Sequence, residues 1–142
     1  MNIGYIEQVS EIGGAERMTE TLLRGLKGTA FVPYHVCPEP GPMGELVRSL
    51  GISSEIIEYY QPGWRTPAPT YASWRKWSTF IKAHHLALLH ANSLHCGRVA
   101  ILAASTSKIP LLCHVHFPMN EEYYTWVFRR LPKPVGFIFC SQ

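Results

Sequence analysis

A doubly wound α/β domain is the fold class that this sequence predicts: a mainly parallel, Rossmann-like sheet of about six strands with helices on both faces. Two observations lead there. Strand-like runs alternate with stretches of helical periodicity from end to end, and the later strand-like runs are apolar throughout, as parallel strands covered on both faces are. The composition agrees, because 46% of the 142 residues are hydrophobic and 12% aromatic, enough to bury a core without disulfides or a structural metal. A single domain over residues 1–142 is expected.

The first strand is Asn2-Ile3-Gly4-Tyr5-Ile6, followed by a polar turn to Gly13-Gly14. In the next segment Ala15, Met18, Leu22, Leu23 and Leu26 form an apolar stripe at helical spacing, Glu20 stands one turn before Arg24, and Gly28 offers a stop. Residues 30–37 form a second strand, with Pro33 arguing against a central position. Pro42 opens a short helix whose Met43, Leu46, Val47 and Leu50 share one face, and Gly51 suits its C-cap. Residues 54–59 make the third strand, and Gln61 to Pro69 is a proline-rich loop whose Trp64 either packs on the fold or lines a ligand cleft.

Tyr71, Trp74, Trp77, Ser78 and Ile81 mark one side of a third helix. Such a stripe fits core packing, and it also fits a membrane or partner contact. Leu86 to Leu89 is the fourth strand, Ser93 caps a helix to about Thr106, and Ile109 to Val115 is the fifth strand. A helix from about Glu121 to Leu131 leads to a last strand, Val135 to Cys140. The sequence stops directly after it, where a doubly wound domain ordinarily continues into a helix, so the chain is expected to be the first part of something longer.

All ten acidic residues are glutamate. That removes any EF-hand loop and any Asp-x-Asp site for metal-dependent sugar transfer. The formal charge of +3 divides into about −4 over residues 1–60 and +7 over residues 61–142, which fits solvated helix faces or a partner carrying phosphate or anionic lipid. Nucleic acid is not expected, since no basic run exceeds two residues and no RNA- or DNA-binding pattern accompanies them. Cys37, Cys96, Cys113 and Cys140 contain no Cys-x-x-Cys, so reduced thiols in the cytoplasm are expected and a metal site is not. Neither a signal peptide nor a membrane span is visible, which leaves any membrane contact peripheral.

In an open parallel sheet the ligand lies beyond the carboxyl ends of the strands, where strand order reverses. With the order 3-2-1-4-5-6, three segments share that crevice: Ser10 to Glu16 after the first strand, His90-Ala91-Asn92-Ser93 after the fourth, and His114-Val115-His116-Phe117-Pro118 after the fifth. Gly13 and Gly14 at a strand-to-helix turn let backbone amides approach a phosphate, or they simply make a tight turn. Glu16 in the first helical turn would repel an anion unless it points away or binds hydroxyls. Strand alternation puts His114 and His116 on one side. With His90 and Asn92 they suit a polyol or diphosphate, since neutral imidazole and amide each both donate and accept. Neither a dinucleotide fingerprint nor a P-loop nor a nucleophile elbow occurs, and Glu11 and Glu16 stand too close in the chain for a glycosidase pair.

Taken together, Ile3-Gly4-Tyr5-Ile6, Glu11-Ile12-Gly13-Gly14-Ala15-Glu16-Arg17, Gly41-Pro42-Met43, Leu50-Gly51-Ile52, His90-Ala91-Asn92-Ser93, Ile109-Pro110 and His114-Val115-His116-Phe117-Pro118 resemble the N-terminal domain of family 4 glycosyltransferases. The resemblance implies half of a GT-B fold, two Rossmann-like domains facing a cleft. The N-terminal one holds the acceptor and the C-terminal one, absent from these residues, holds the donor. It implies that Gly13 and Gly14 lie against the donor diphosphate, that His116 is catalytic and approaches the transferred sugar, and that Glu16, His90, Asn92 and His114 line the acceptor side. Relatives often carry His-Asp or Arg-Asp where this sequence has His116-Phe117, so any role of that aspartate is lost or moved. The implied reaction is retaining transfer from a nucleotide-sugar co-substrate to a hydroxyl acceptor, with no metal and no further cofactor. The fragment alone is expected to be inactive. The other reading from a different class is a non-catalytic Rossmann-like domain binding a phosphorylated or sugar-like ligand in the same crevice.

Overall fold

Six strands, β1 (Asn2–Ile6), β2 (Val32–Cys37), β3 (Ser53–Ile56), β4 (Leu88–Ala91), β5 (Leu111–Val115) and β6 (Gly136–Phe139), alternate with five helices, α1 (Gly14–Gly25), α2 (Pro42–Ser49), α3 (Pro67–Ala83), α4 (Leu94–Thr106) and α5 (Glu121–Val127). The computed structural model describes residues 1–63 and 65–140. All five strand pairings are parallel and the order is β3-β2-β1-β4-β5-β6, the doubly wound arrangement expected from the sequence. Chain direction reverses its progress across the sheet between β1 and β4, which makes their carboxyl ends the switch point.

Alternation of side chains along each strand divides the core into two layers. On one face Ile6, Val36, Leu89, Ala91, Leu111, Cys113 and Val115 pack with Trp77, Phe80 and Ile81 of α3, with the buried side of α4, and with Val127 of α5. On the other, Ile3, Tyr5 and Cys37 meet Leu23 of α1 and Met43 and Val47 of α2. Close approach is visible at Gly97, where an added Cβ would stand 2.2 Å from the Cys113 sulfur, so only glycine lets α4 lie this near β5. Within α1, Glu20 pairs with Arg24 at 2.8 Å, as its spacing indicated. Among the described residues, no helix is long and apolar enough to cross a membrane.

Several boundaries differ from the sequence expectation for local physical reasons. Pro33 does lie in an interior strand. Its neighbour Val32 donates to Met1 on the β1 side, so the missing N–H of Pro33 points to the β3 side, where pairing starts only at Tyr34. The third strand ends at Ile56, and the chain then carries Tyr59 over the sheet, where its hydroxyl donates to the Glu7 carbonyl. Helix α3 begins at Pro67 inside the expected loop, because Pro67 and Pro69 fall in a first turn that needs no N–H partners. The fourth strand starts two residues late, since Leu86 still donates to Ile81 and closes the end of α3 with His85 at φ 48°. The fifth opens at Leu111, after a similar closure in which Lys108 has φ 57° and Ile109 donates to Ala104. Helix α5 stops at Val127, with Arg130 at φ 61° and Leu131 donating to Phe128. Of the aromatic stripe, Trp77 is fully buried, Trp74 half-buried and Tyr71 exposed, so only its later turns are core.

Candidate functional site

The carboxyl ends of β1, β4 and β5 stand side by side, and each leads into one of the three segments singled out in the sequence. Glu7, the residue after β1, is fully buried. The Asn92 amide nitrogen donates to its Oε2 at 2.5 Å, and Nε2 of His116 lies 2.6 Å from the Asn92 amide oxygen. Because that oxygen can only accept, His116 carries its proton on Nε2 and leaves Nδ1 bare. Nδ1 in turn faces the Cys140 sulfur at 3.5 Å. A polar chain thus runs from the floor of the sheet to its open end: Glu7, Asn92, His116, Cys140.

Beside it lies a file of rings crossing three strands. Tyr5 and His90 have centroids 5.1 Å apart, His90 and His114 stack at 5.6 Å, and His114 and His116 stack at 4.3 Å. Strand alternation had placed His114 and His116 together, and the β4 register adds His90. Burial, followed by the neighbouring imidazoles, pushes the His90 pKa down to about 4, and the same two causes lower that of His114. Burial also lowers that of His116, against the opposing pull of Glu16 and Asn92. The file is therefore neutral at pH 7 and able to donate and accept. Glu7 shifts the other way: desolvation raises it to about 7, although Thr19 and Asn92 hydrogen bonds oppose the shift. Its Oε1 has no hydrogen-bond partner among the described residues.

The glycine turn has its own internal logic. Glu16 is buried and folds back so that its carboxylate accepts from the Gly13 amide at 3.0 Å, which holds its charge at the start of α1. Gly14 opens α1 with nothing within 4 Å of where a Cβ would stand, so the backbone there is approachable from outside. The turn is clamped from the side: Ser10 donates to Glu39 at 2.5 Å, its carbonyl accepts from Met43 at 2.9 Å, and Gly41 passes so close that a Cβ would stand 2.6 Å from the Ser10 Cβ.

A second concavity of about 820 Å³ lies on the other face, between α3, α4 and α5, where Tyr71, Trp74 and Trp126 stand with Arg98, Arg129 and Arg130. Trp64, conspicuous in the sequence, lies outside the described residues. Two members of the first site escape sequence reasoning. Glu7 carries one signal, a charged residue closing an apolar strand at its carboxyl end. Cys140 carries none, because only the β5–β6 pairing, Val115 opposite Phe139, brings it beside the histidines.

The family model for Glycosyltransferase Family 4 matches residues 12–142. A search of curated proteins returns no match. Among solved structures, the chain is similar to a glycosyltransferase from Rickettsia africae ESF-5, with a TM-score of 0.67 and 16% identity over 90% of this chain and 33% of that one. It is similar to HepE from Anabaena in complex with UDP-glucose, with a TM-score of 0.65 and 20% identity over 92% of this chain and 33% of that one. It is also similar to MurG from Acinetobacter baumannii, with a TM-score of 0.64 and 14% identity over 80% and 34%. At these identities the likeness is one of fold, and the chain spans about a third of the length of each. The family match over residues 12–142 and the doubly wound sheet lead to one conclusion: the chain belongs to Glycosyltransferase Family 4.

Proposed function

We propose that residues 1–142 form the acceptor-side domain of a retaining glycosyltransferase that moves a sugar from a nucleotide-sugar to a hydroxyl acceptor, and that a C-terminal donor-binding domain is needed for turnover. The observation that carries this reading is the Glu7–Asn92–His116 chain at the switch point of a family 4 domain. His116 is the catalytic candidate, positioned through Asn92 by a carboxyl group that never touches substrate. Neutral imidazoles at His90 and His114 and the Asn92 amide form the wall that meets hydroxyls. The Gly13–Gly14 turn meets the donor diphosphate. Gly13 is spent on Glu16, so the approachable backbone is at Gly14 and the start of α1, where the helix dipole favours the charge that develops on the departing diphosphate.

No step in this scheme calls for a metal. The UDP-glucose in HepE makes that compound the first donor to try. The groove of aromatics and arginines supports a peripheral contact with an acceptor held at a membrane surface. The 142-residue chain alone should show no transfer, and a longer chain that joins it to a donor-binding C-terminal domain of the same family should transfer sugar. In that longer chain His116→Ala and Gly14→Val should each lower kcat/KM by at least about 100-fold, the scale of losing a general base or an oxyanion donor. Their melting temperatures should stay near the parent's. Wild-type turnover in both variants would remove the site assignment.

A further inference from the structure

The ring file ends on a group that sugar transfer does not use. Cys140 is half-exposed, and its sulfur lies 3.7 Å from Nε2 of His114 and 3.5 Å from Nδ1 of His116. The three donor atoms all fall within 4.8 Å of one another. We propose that His114, His116 and Cys140 form a binding site for a soft divalent metal ion, zinc by its donor set, at the carboxyl ends of β5 and β6.

Three arguments converge. The first is metric: zinc with Zn–S of about 2.3 Å and Zn–N of about 2.0–2.1 Å at tetrahedral angles holds sulfur roughly 3.5 Å from nitrogen. The two sulfur–nitrogen separations here are already near that length before any ion enters. The second is the protonation state. Asn92 holds the proton of His116 on Nε2, so a lone pair on Nδ1 points at the sulfur, and Glu7 fixes the Asn92 orientation from behind. His116 thus has the orienting partner that ligating histidines ordinarily have, whereas Nδ1 of His114 has none among the described residues. The third is that one thiol proton cannot serve two imidazoles. Without metal, the S–H donates to one ring and the other ring must donate to sulfur, which is a weak acceptor. An M²⁺ ion replaces that arrangement by three dative bonds: Cys140 loses its proton to solvent, the His114 proton resides on Nδ1, and the fourth position takes water. Two imidazoles and a thiolate select zinc or cobalt over magnesium or calcium.

This site rests on the geometry but shares His114 and His116 with the transfer reading, so an ion on Nδ1 of His116 would compete with its catalytic role; the readout is separate from activity. The test is Co²⁺ titration of the purified, reduced chain, followed by absorbance. One equivalent should give an intense thiolate-to-cobalt charge-transfer band with tetrahedral d–d absorption, displaced by Zn²⁺ and not by Mg²⁺. Cys140→Ser and His116→Gln should abolish the band, with far-ultraviolet circular dichroism showing that each variant is folded. Asn92→Ala should keep the band and weaken Zn²⁺ binding by roughly 10- to 100-fold, as loss of an orienting partner does. A chain without a charge-transfer band, or a Cys140→Ser variant that keeps it, overturns the proposal.

Discussion

Among the described residues, the two faces of the sheet bury unpaired polar atoms of different kinds. On the face covered by α3, α4 and α5 these are the Trp77 ring N–H and the hydroxyls of Ser73 and Ser78, neutral dipoles set in a large apolar layer. On the α1 and α2 face and at its open end they are Glu7 Oε1, His90 Nε2 and His114 Nδ1, all on ionisable groups. A neutral orphan costs a fixed desolvation penalty, whereas a titratable one makes the cost a function of pH. One face therefore supplies stability and the other holds the chemistry, with β1, β4 and β5 serving both.

The largest effect that sharpens this contrast belongs to Trp77, buried completely between α3 and the sheet. Trp77→Ala should cost about 4 kcal/mol, the usual scale for a deleted core aromatic, and urea denaturation should show the same loss at pH 5 and pH 8. Trp77→Phe should recover much of it, since it fills most of the space and removes the unpaired N–H. A loss that varied with pH would mean that the two faces are not separable.

Glu7 should behave in the opposite way. Its pKa is about 7 in the folded chain against an ordinary 4.5, so between those values the folded state holds a proton that the unfolded state has released. Stability from this group is complete below pH 4.5 and falls as pH rises toward 7. Glu7→Gln removes that dependence. It should equal the parent near pH 4 and exceed it by about 3 kcal/mol at pH 8, an order-of-magnitude figure from the shift. The histidines carry the opposite slope: burial holds His35 and His90 down to about 4, and in the window up to the ordinary 6.5 stability is lost as pH falls. Two such groups outweigh one glutamate, so the parent should be acid-labile and Glu7→Gln more steeply so. Melting temperatures from pH 4 to pH 8 check both slopes.

What was legible in the sequence follows the same division. The alternation of strands with helices and the apolar stripes are local patterns with a period, and periods survive in one dimension; the strand order followed from the usual doubly wound topology. Element ends were less legible because they depend on closures such as His85 and Arg130 in the left-handed region, which no composition marks. The three turns of the site could be read because each follows a strand that the topology brings together. Cys140 could not, since its place beside the histidines depends on the register of β6 on β5, Val115 opposite Phe139. Glu16 was readable as a residue of the glycine turn, but its actual bond, to the Gly13 amide at 3.0 Å, needs the helix in three dimensions.

The smallest effects compare two glycines given the same extra methyl. Gly97→Ala puts its Cβ 2.2 Å from the sulfur of buried Cys113, beneath Phe128 at 3.3 Å, and α4 cannot back away without opening the apolar layer. Its cost should be about 1–3 kcal/mol, as for an overpacked core. Gly14→Ala meets nothing within 4 Å and sits at the start of α1, where alanine is at least as good a helix former as glycine. Its stability should stay within about 1 kcal/mol of the parent, with any change upward. Chemical denaturation of the two variants side by side measures this. The packing of this domain thus requires glycine at position 97 and tolerates a side chain at position 14. If sugar transfer by the longer chain falls in Gly14→Ala while its stability holds, the space at Gly14 is kept open for something that approaches from outside the domain, as a donor diphosphate would.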